Sequence, residues 1–331
     1  MDQLRTCIGL DEAVGRIRPG RVIEGISAIL LPFGQDDRPD LAAFAKLIER
    51  TYAAGITPAV NMDTGYVNLL DPAQRGDVLS CAREVSAGRR FVAGAFIEGE
   101  PGDPVALYRR EIESIERHGG TPILFQSSAL NRLSDADVVS VYRRVAESSR
   151  ALLAFELGGM FAPFGRIYPL EIVRGILDIP AIGGIKHSSL DRVTELERLA
   201  LRDRVRPDFK IYTGNDLAID MVFYGSDYLL GLSAFHVEAF ALRDRLWRQG
   251  DAAALGLNDL LQYLGFLAFR PPVPAYKHTA AQFLHLRGLI PNSKTHPRSA
   301  RRPDSDVELL RDIAARLDAV VALGATSSAR A

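Results

Sequence analysis

From residue 26 onward the chain alternates short, continuous apolar runs with longer stretches whose apolar positions recur three and four apart. The runs cover 26–32, 57–61, 91–96, 122–126, 151–156, 181–186, 209–213 and 227–232. A run that is apolar at successive positions, rather than at every second one, reads as a strand buried on both faces, as in parallel sheets. Helices are predicted for the alternating stretches 40–54, 71–87, 104–118, 134–148, 170–177, 190–201, 217–223 and 237–248. Leu41, Phe44, Ala45 and Ile48 show the spacing, falling on one face of a helix with 3.6 residues per turn. Eight consecutive strand-helix units predict an α/β chain folded as a closed (β/α)8 TIM barrel. An open doubly wound sheet is the alternative, but no Gly-x-Gly-x-x-Gly turn follows an early strand.

After Gly250 the strand signal stops and three helical stretches follow, 252–269, 275–286 and 304–323. They are separated by the proline-rich segments 270–274 and 291–303, which break helices by composition. The expected organisation is an N-terminal extension at 1–24, the barrel at 25–250 and a C-terminal helical appendage at 251–331, with 326–331 expected to fray.

Composition narrows the function. The 331 residues are 47% hydrophobic and 24% charged, close to an ordinary globular domain with a sizeable core. A net charge of -1 provides no field to gather nucleic acid or an anionic membrane, so a small molecule is the expected partner. No apolar run approaches the roughly 18 residues that span a bilayer. Residues 1–21 scatter Asp2, Arg5, Asp11, Glu12, Arg16 and Arg18 among their apolar positions, unlike a signal peptide. Cys7 and Cys81 are far apart and match neither a disulfide framework nor a zinc motif, which fits a reducing cytoplasm.

In a barrel of this kind chemistry sits at the C-terminal ends of the strands. Those ends read Phe33-Gly34, Asn61-Met62-Asp63-Thr64-Gly65-Tyr66, Glu98, Gln126-Ser127-Ser128, Glu156, Lys186-His187-Ser188, Thr213-Gly214-Asn215-Asp216, and Ser233 with His236. Lys186 closes the apolar run 181–186. Lysine is strongly hydrated and normally kept at the surface, so a buried strand ending in one beside small residues aims its amine into a cavity. Loss of hydration there disfavours the ammonium form and leaves more neutral amine to attack a carbonyl. A lysine that simply reaches solvent is the plain alternative.

Several of these segments, in order, resemble the dihydrodipicolinate synthase and N-acetylneuraminate lyase family of class I aldolases, over roughly 25–303. Leu31-Pro32-Phe33 is similar to that family's Thr-Pro-Phe-like element. Met62-Asp63-Thr64-Gly65-Tyr66 resembles Gly-Thr-Thr-Gly-Glu and is followed by Leu69, Asp71 and Arg75. The stretch from Gly184 to Asp191 resembles Gly-Ile-Lys-x-Ser-Ser-Gly-Asp, and Gly214-Asn215-Asp216 resembles Gly-x-Asp. Lys277 and Gly288-Leu289-Ile290-Pro291 are similar to the C-terminal helices of the family. The resemblance implies that Lys186 condenses with the ketone of pyruvate or another 2-oxo acid, and that the protonated imine then acts as an electron sink. Thr64 and the Gly65 amide would hold the substrate carboxylate, and Asp63, Arg166, Gly214, Asp216, Ser233 and His236 complete the expected substrate-binding set. The resemblance implies neither cofactor nor metal. It implies a homodimer or homotetramer, with Tyr108 and the Arg109-Arg110 pair placed near a neighbouring subunit.

Two departures bear on the substrate. The family's tyrosine at the end of the fifth strand, in a Tyr-Asn-x-Pro setting, corresponds to Phe155 in Phe155-Glu156-Leu157-Gly158, and a phenyl ring cannot transfer a proton. Asp63 replaces the first threonine of the usual pair, and its carboxylate would repel a substrate carboxylate unless it is protonated or faces a hydroxyl. Glu156 is the expected substitute for the proton relay, with a pKa raised in a partly apolar mouth. Pairing of Glu156 with Arg166 or Lys186 is its structural alternative. Strand alternation turns His187 away from the barrel interior. His236 is a general-base candidate or a helix-terminal structural residue, and Arg166 either holds a distal substrate group or makes a surface ion pair.

The leading reading is a Schiff-base lyase of the aldolase or dehydratase kind acting on a small 2-oxo acid or sugar-derived acid. One alternative is a metal-dependent isomerase or aldolase, with Asp63, Glu98, Glu156 and His236 converging on a divalent ion. The other is a ligand-binding paralogue without turnover, for which Phe155 is the main argument.

Overall fold

The computed structural model describes residues 9–328. Its strands are β1 (Gly25–Ala28), β2 (Thr57–Val60), β3 (Val92–Ala95), β4 (Thr121–Leu124), β5 (Leu152–Leu157), β6 (Ile182–Ser188), β7 (Lys210–Thr213) and β8 (Asp227–Leu230). They close into a barrel in sequence order, as the eight apolar runs predict. The helices are α1 (Leu10–Gly15), α2 (Leu41–Ala53), α3 (Pro72–Ser86), α4 (Pro104–Arg117), the short α5 (Ser128–Asn131), α6 (Asp135–Ala146), α7 (Leu170–Leu177), α8 (Arg192–Val205) and α9 (Val237–Arg248). Beyond them come α10 (Ala253–Ala268), α11 (Tyr276–Leu286) and α12 (Asp306–Ser328), the expected C-terminal helices. Cys7 and residues 329–331 of the expected frayed end lie outside the described residues. Among the described residues no helix is long and apolar enough to cross a membrane.

Short polar residues start the helices where the sequence turns away from the strands. Asp40, Asp103 and Ser134 each accept a hydrogen bond from the backbone N–H three residues on, at 2.9, 3.1 and 3.2 Å. Asp71 and Gln74 exchange side-chain and backbone bonds of 2.8 and 3.0 Å at the start of α3, a reciprocal capping pair. The stretch 217–223 departs from expectation: it forms a 3-10 helix, Ile219–Tyr224, which Gly225 ends at a φ of 115°. A 3-10 helix rises about 2.0 Å per residue against about 1.5 Å for an α-helix, and so covers the return to β8 with fewer residues.

The connection from β6 to α8 positions the lysine strand. Leu190 has a φ of 61° at the place where the resembled segment carries glycine. A non-glycine residue in this left-handed conformation costs about 1–2 kcal/mol. The bond from the Leu190 N–H to Asn215 Oδ1, 2.7 Å, and the Asp191 cap on the Val193 N–H, 2.9 Å, hold the turn.

By contact the chain divides into two compact units. One runs to Arg18 and from Ala87 to Leu229, and the other comprises Pro19–Ser86 and the chain from Leu230 onward. The first holds β3 to β7, with β8 ending at the boundary, and the second holds β1, β2 and the C-terminal helices.

Candidate active site

In the first unit Phe155, Lys186 and Tyr212 lie in register on β5, β6 and β7. Successive residues of a strand point to opposite faces, so these three side chains share the face opposite to that of Glu156, His187 and Thr213. Lys186 is buried at 8% exposure, with Nζ 4.4 Å from the centroid of the Phe155 ring. That ring stands edge-on to Phe125 at 4.9 Å, and Phe125 in turn meets Phe96 at 5.7 Å, so the lysine lies against an aromatic wall. Gly214 clears the space beside it: a Cβ there would come within 2.7 Å of Lys186 Cε and 2.1 Å of Ser188 Oγ. The Gly214 N–H donates to the His187 carbonyl at 2.7 Å, which fixes the glycine against the lysine strand. Asp216, two residues on, is buried.

Glu156 occupies the other face, toward α8, and this corrects the expectation of a raised pKa. It is fully buried and accepts bonds from Arg198 Nε at 3.0 Å, Arg198 Nη2 at 3.2 Å and the Tyr168 N–H at 2.7 Å, with His187 Nδ1 at 2.7 Å. Burial alone would push its carboxyl up, but the charges of His187 and Arg198 outweigh it and bring the pKa down to about 2. The partner is Arg198, not Arg166 or Lys186. His187 continues the row to Ser189 Oγ at 2.7 Å, so it faces away from the lysine side, as alternation requires. Glu195, on the same helix as Arg198, is also buried and accepts from Thr213 Oγ1, Asn215 Nδ2 and Ser226 Oγ at 2.9, 2.6 and 2.5 Å. Burial pushes its carboxyl up, and those donors offset only part of that.

In the second unit the turn after β2 answers the question raised by Asp63. Lys277 Nζ donates to both Asp63 carboxylate oxygens at 2.9 Å, and the Tyr276 hydroxyl reaches Asp63 Oδ2 at 2.9 Å. The Asp63 charge is therefore balanced by a lysine from α11. Thr64 Oγ1 lies 2.9 Å from the same Tyr276 hydroxyl. An ionised carboxylate accepts only, and a phenol has one proton to give, so Tyr276 donates to Asp63 and Thr64 donates to Tyr276. Gly65 sits in a 3-10 turn, Asp63–Gly65, where its N–H donates to the Met62 carbonyl at 3.0 Å. The amide expected to hold a carboxylate is thus engaged inside the turn.

The remaining candidates are held in other ways. Arg166 pairs with Asp135 at the surface, while the Gln126 side chain bonds its backbone carbonyl and N–H at 2.6 and 2.9 Å. Ser233 Oγ is buried within 2.8 Å of Ser27 Oγ and 2.9 Å of the Leu230 carbonyl. His236 caps α9: its Nδ1 lies 3.3 Å from the Ala239 backbone nitrogen and 3.1 Å from Glu238 Oε2, and its Nε2 lies 3.1 Å from Asp318 Oδ1. Glu98 accepts from the Ser128 N–H and hydroxyl, both at 2.6 Å. Asp63, Glu98, Glu156 and His236 are thus each engaged with partners of their own. Among the described residues no three His, Cys, Asp or Glu side chains group as a ligand set. Tyr108 is fully buried, with its hydroxyl 2.6 Å from the Phe125 carbonyl, and so lies in its own subunit's core rather than at a neighbour.

Arg198, Tyr276 and the role of Lys277 were not anticipated from sequence. Arg198 had a signal: with Glu195 and Leu199 it falls on one stripe of α8, and charges on a buried stripe require partners. Tyr276 had none, because its bond to Asp63 spans 213 residues of chain.

A family model described as Protein of unknown function (DUF993) matches residues 100–296, more than half of the chain. The chain belongs to the DUF993 family. This DUF993 member is 24% identical over 204 residues to the 4-hydroxy-tetrahydrodipicolinate synthase of Salinibacter ruber. The match covers 60% of the chain and 64% of that enzyme, so the chain spans less than two thirds of the curated relative. Among solved structures it superposes on a putative dihydrodipicolinate synthetase from Pseudomonas aeruginosa with a TM-score of 0.75 and 18% identity, covering 90% of this chain and 100% of that one. Dihydrodipicolinate synthase from Thermotoga maritima gives 0.76 and 17%, covering 90% and 99%. A prophage protein of the dihydrodipicolinic acid synthase family from E. coli K12, solved with pyruvate, gives 0.75 and 17%, covering 89% and 98%. The DUF993 member thus has the barrel fold of the dihydrodipicolinate synthases, as the ordered segments of the sequence imply.

Proposed function

We propose that the chain is a Schiff-base-forming lyase, of the aldolase or dehydratase kind, that acts on a small 2-oxo acid or sugar-derived acid through Lys186. The observation that carries this reading is the placement of Lys186: buried near the C-terminal end of β6, against the Phe155 ring, in space that Gly214 leaves by lacking a side chain. Strand ends are where barrels carry chemistry, and the fold is shared with a protein of the dihydrodipicolinic acid synthase family that was solved with pyruvate. In the proposed reaction the Lys186 amine adds to the C2 carbonyl, the carbonyl oxygen leaves as water, and an imine remains. Once protonated, the imine nitrogen accepts the electron pair released when a bond at C3 breaks, which serves aldol cleavage, aldol addition or loss of a hydroxyl equally.

The test is borohydride trapping across a panel of 2-oxo acids beginning with pyruvate. An added mass on the wild-type chain that is absent from Lys186→Ala supports the reading. No added mass with any member of the panel would remove it. An adduct without turnover would favour the ligand-binding reading, for which Phe155 in place of a phenol is the specific observation. We also infer assembly as a homodimer or homotetramer. α10 leaves Leu255, Tyr263 and Phe266 exposed, apolar surface that a neighbouring copy would cover. Light scattering that detects only monomer at micromolar concentration would contradict assembly.

A further inference from the structure

We propose that the Ser188 hydroxyl is the proton shuttle for imine formation at Lys186, a step that rests on the Schiff-base reading above. The residues that place it lie in one unit. Ser188 is two positions beyond Lys186 on β6, so both side chains leave the same face of the strand. They also converge: the point where a Gly214 Cβ would stand is 2.1 Å from Ser188 Oγ and 2.7 Å from Lys186 Cε. The missing side chain of Gly214 therefore lets a hydroxyl and an amine-bearing carbon share one small space. The strand holds Ser188 there through its carbonyl, which accepts from the Gly158 N–H at 2.9 Å. Its neighbour Ser189 is turned the other way, with Oγ 2.7 Å from His187 Nε2.

The chemistry needs a hydroxyl at this place because Phe155 cannot move a proton. When the Lys186 amine has added to C2, the adduct carries an N–H and a C–OH on the same carbon. Loss of water requires the oxygen to gain a proton and the nitrogen to lose one. A hydroxyl that reaches both does this without ionising. Ser188 gives its proton to the departing oxygen as the C–O bond breaks, the nitrogen lone pair forms the C=N bond, and the N–H proton passes to Ser188 Oγ. The products are water, a neutral imine and an unchanged serine, so the step needs no other reactant. Protonation of the imine from solvent then readies it for the C3 chemistry. His187, Glu156 and Arg198 take no part, since they lie on the other face of the strands.

The experiment follows the rate of imine formation by quenching the full-length chain with borohydride at intervals after mixing with pyruvate, or with whichever 2-oxo acid traps on the wild type. Ser188→Ala slows the approach to the plateau tenfold or more, while the plateau itself stays within about twofold, because a shuttle alters rate and not equilibrium. Ser188→Thr restores most of the rate, since it keeps the hydroxyl. Ser189→Ala leaves the rate within twofold. The wild-type rate falls in heavy water, and the Ser188→Ala rate falls less. If the wild type forms an adduct and Ser188→Ala forms it as fast, the shuttle is overturned and the Schiff-base reading stands. Should the wild type trap nothing with any 2-oxo acid, both fall together. Equal slowing by Ser188→Ala and Ser188→Thr would show packing rather than proton transfer and would also overturn the shuttle.

Discussion

The two faces of β5 and β6 hold their charged groups in opposite ways. On one face Lys186 lies 4.4 Å from a phenyl ring, beside a glycine that leaves it room. On the other, one residue along each strand, Glu156 meets both His187 and Arg198 at distances between 2.7 and 3.2 Å, and every group is buried. The first arrangement sets an amine against an aromatic ring, at a place that admits no side chain on Gly214. The second fixes charges in mutual bonds, and an ion pair so enclosed resists change because removing one partner strands the other. Alternation along a strand thus separates a place for chemistry from a structural tie by a single position, and it reassigns Glu156 from proton relay to the tie that joins β5 and β6 to α8.

The comparison breaks most visibly at Glu156. Glu156→Gln leaves Arg198 and His187 buried beside a neutral amide and should cost about 3–5 kcal/mol of folding stability, read as a shift in urea midpoint at pH 7. The adduct formed per folded chain should stay within about threefold. A large loss of trapping with unchanged stability would restore Glu156 as a catalytic group. The pH dependence has a definite sign. Glu156 is held near 2 against an ordinary 4.5, so its contribution is complete above about 4.5 and is lost as pH falls through about 2. The gap between wild type and variant should therefore narrow across that window.

Gly214→Ala sharpens the other face with a smaller effect on stability. The added Cβ must displace Ser188 Oγ and Lys186 Cε, an overpacking cost of about 1–3 kcal/mol. Trapping per folded chain should fall tenfold or more, because the amine loses its space. An alanine variant that traps as well as the wild type would show that the Gly214 gap does not position the lysine.

Much of this was legible in the sequence. Eight continuous apolar runs gave the barrel, and the run ending at Lys186 gave the lysine, because both depend on local pattern. The face of Glu156 was also within reach: it is odd-even with Phe155, and the same alternation that turned His187 outward applies to it. What misled was sequence adjacency to the missing tyrosine, which carries no information about direction. The balancing of Asp63 by Lys277 and Tyr276 was not legible. It joins a turn after β2 to the first turn of α11, and no local period encodes a contact over that separation. The 3-10 form of Ile219–Tyr224 was hidden for another reason, since its apolar spacing alone does not distinguish it from a short α-helix.

The chain buries two lysines that bear directly on the central claim, Lys186 against a ring and Lys277 clamped on a carboxylate. Incubation of the native protein with a 2-oxo acid, reduction with borohydride and peptide mass mapping compares them in one sample. The account predicts a stoichiometric adduct on the peptide carrying Lys186 and none on the peptide carrying Lys277, whose amine is bound to both oxygens of Asp63. An adduct on Lys277, or on neither lysine with any 2-oxo acid offered, would contradict it.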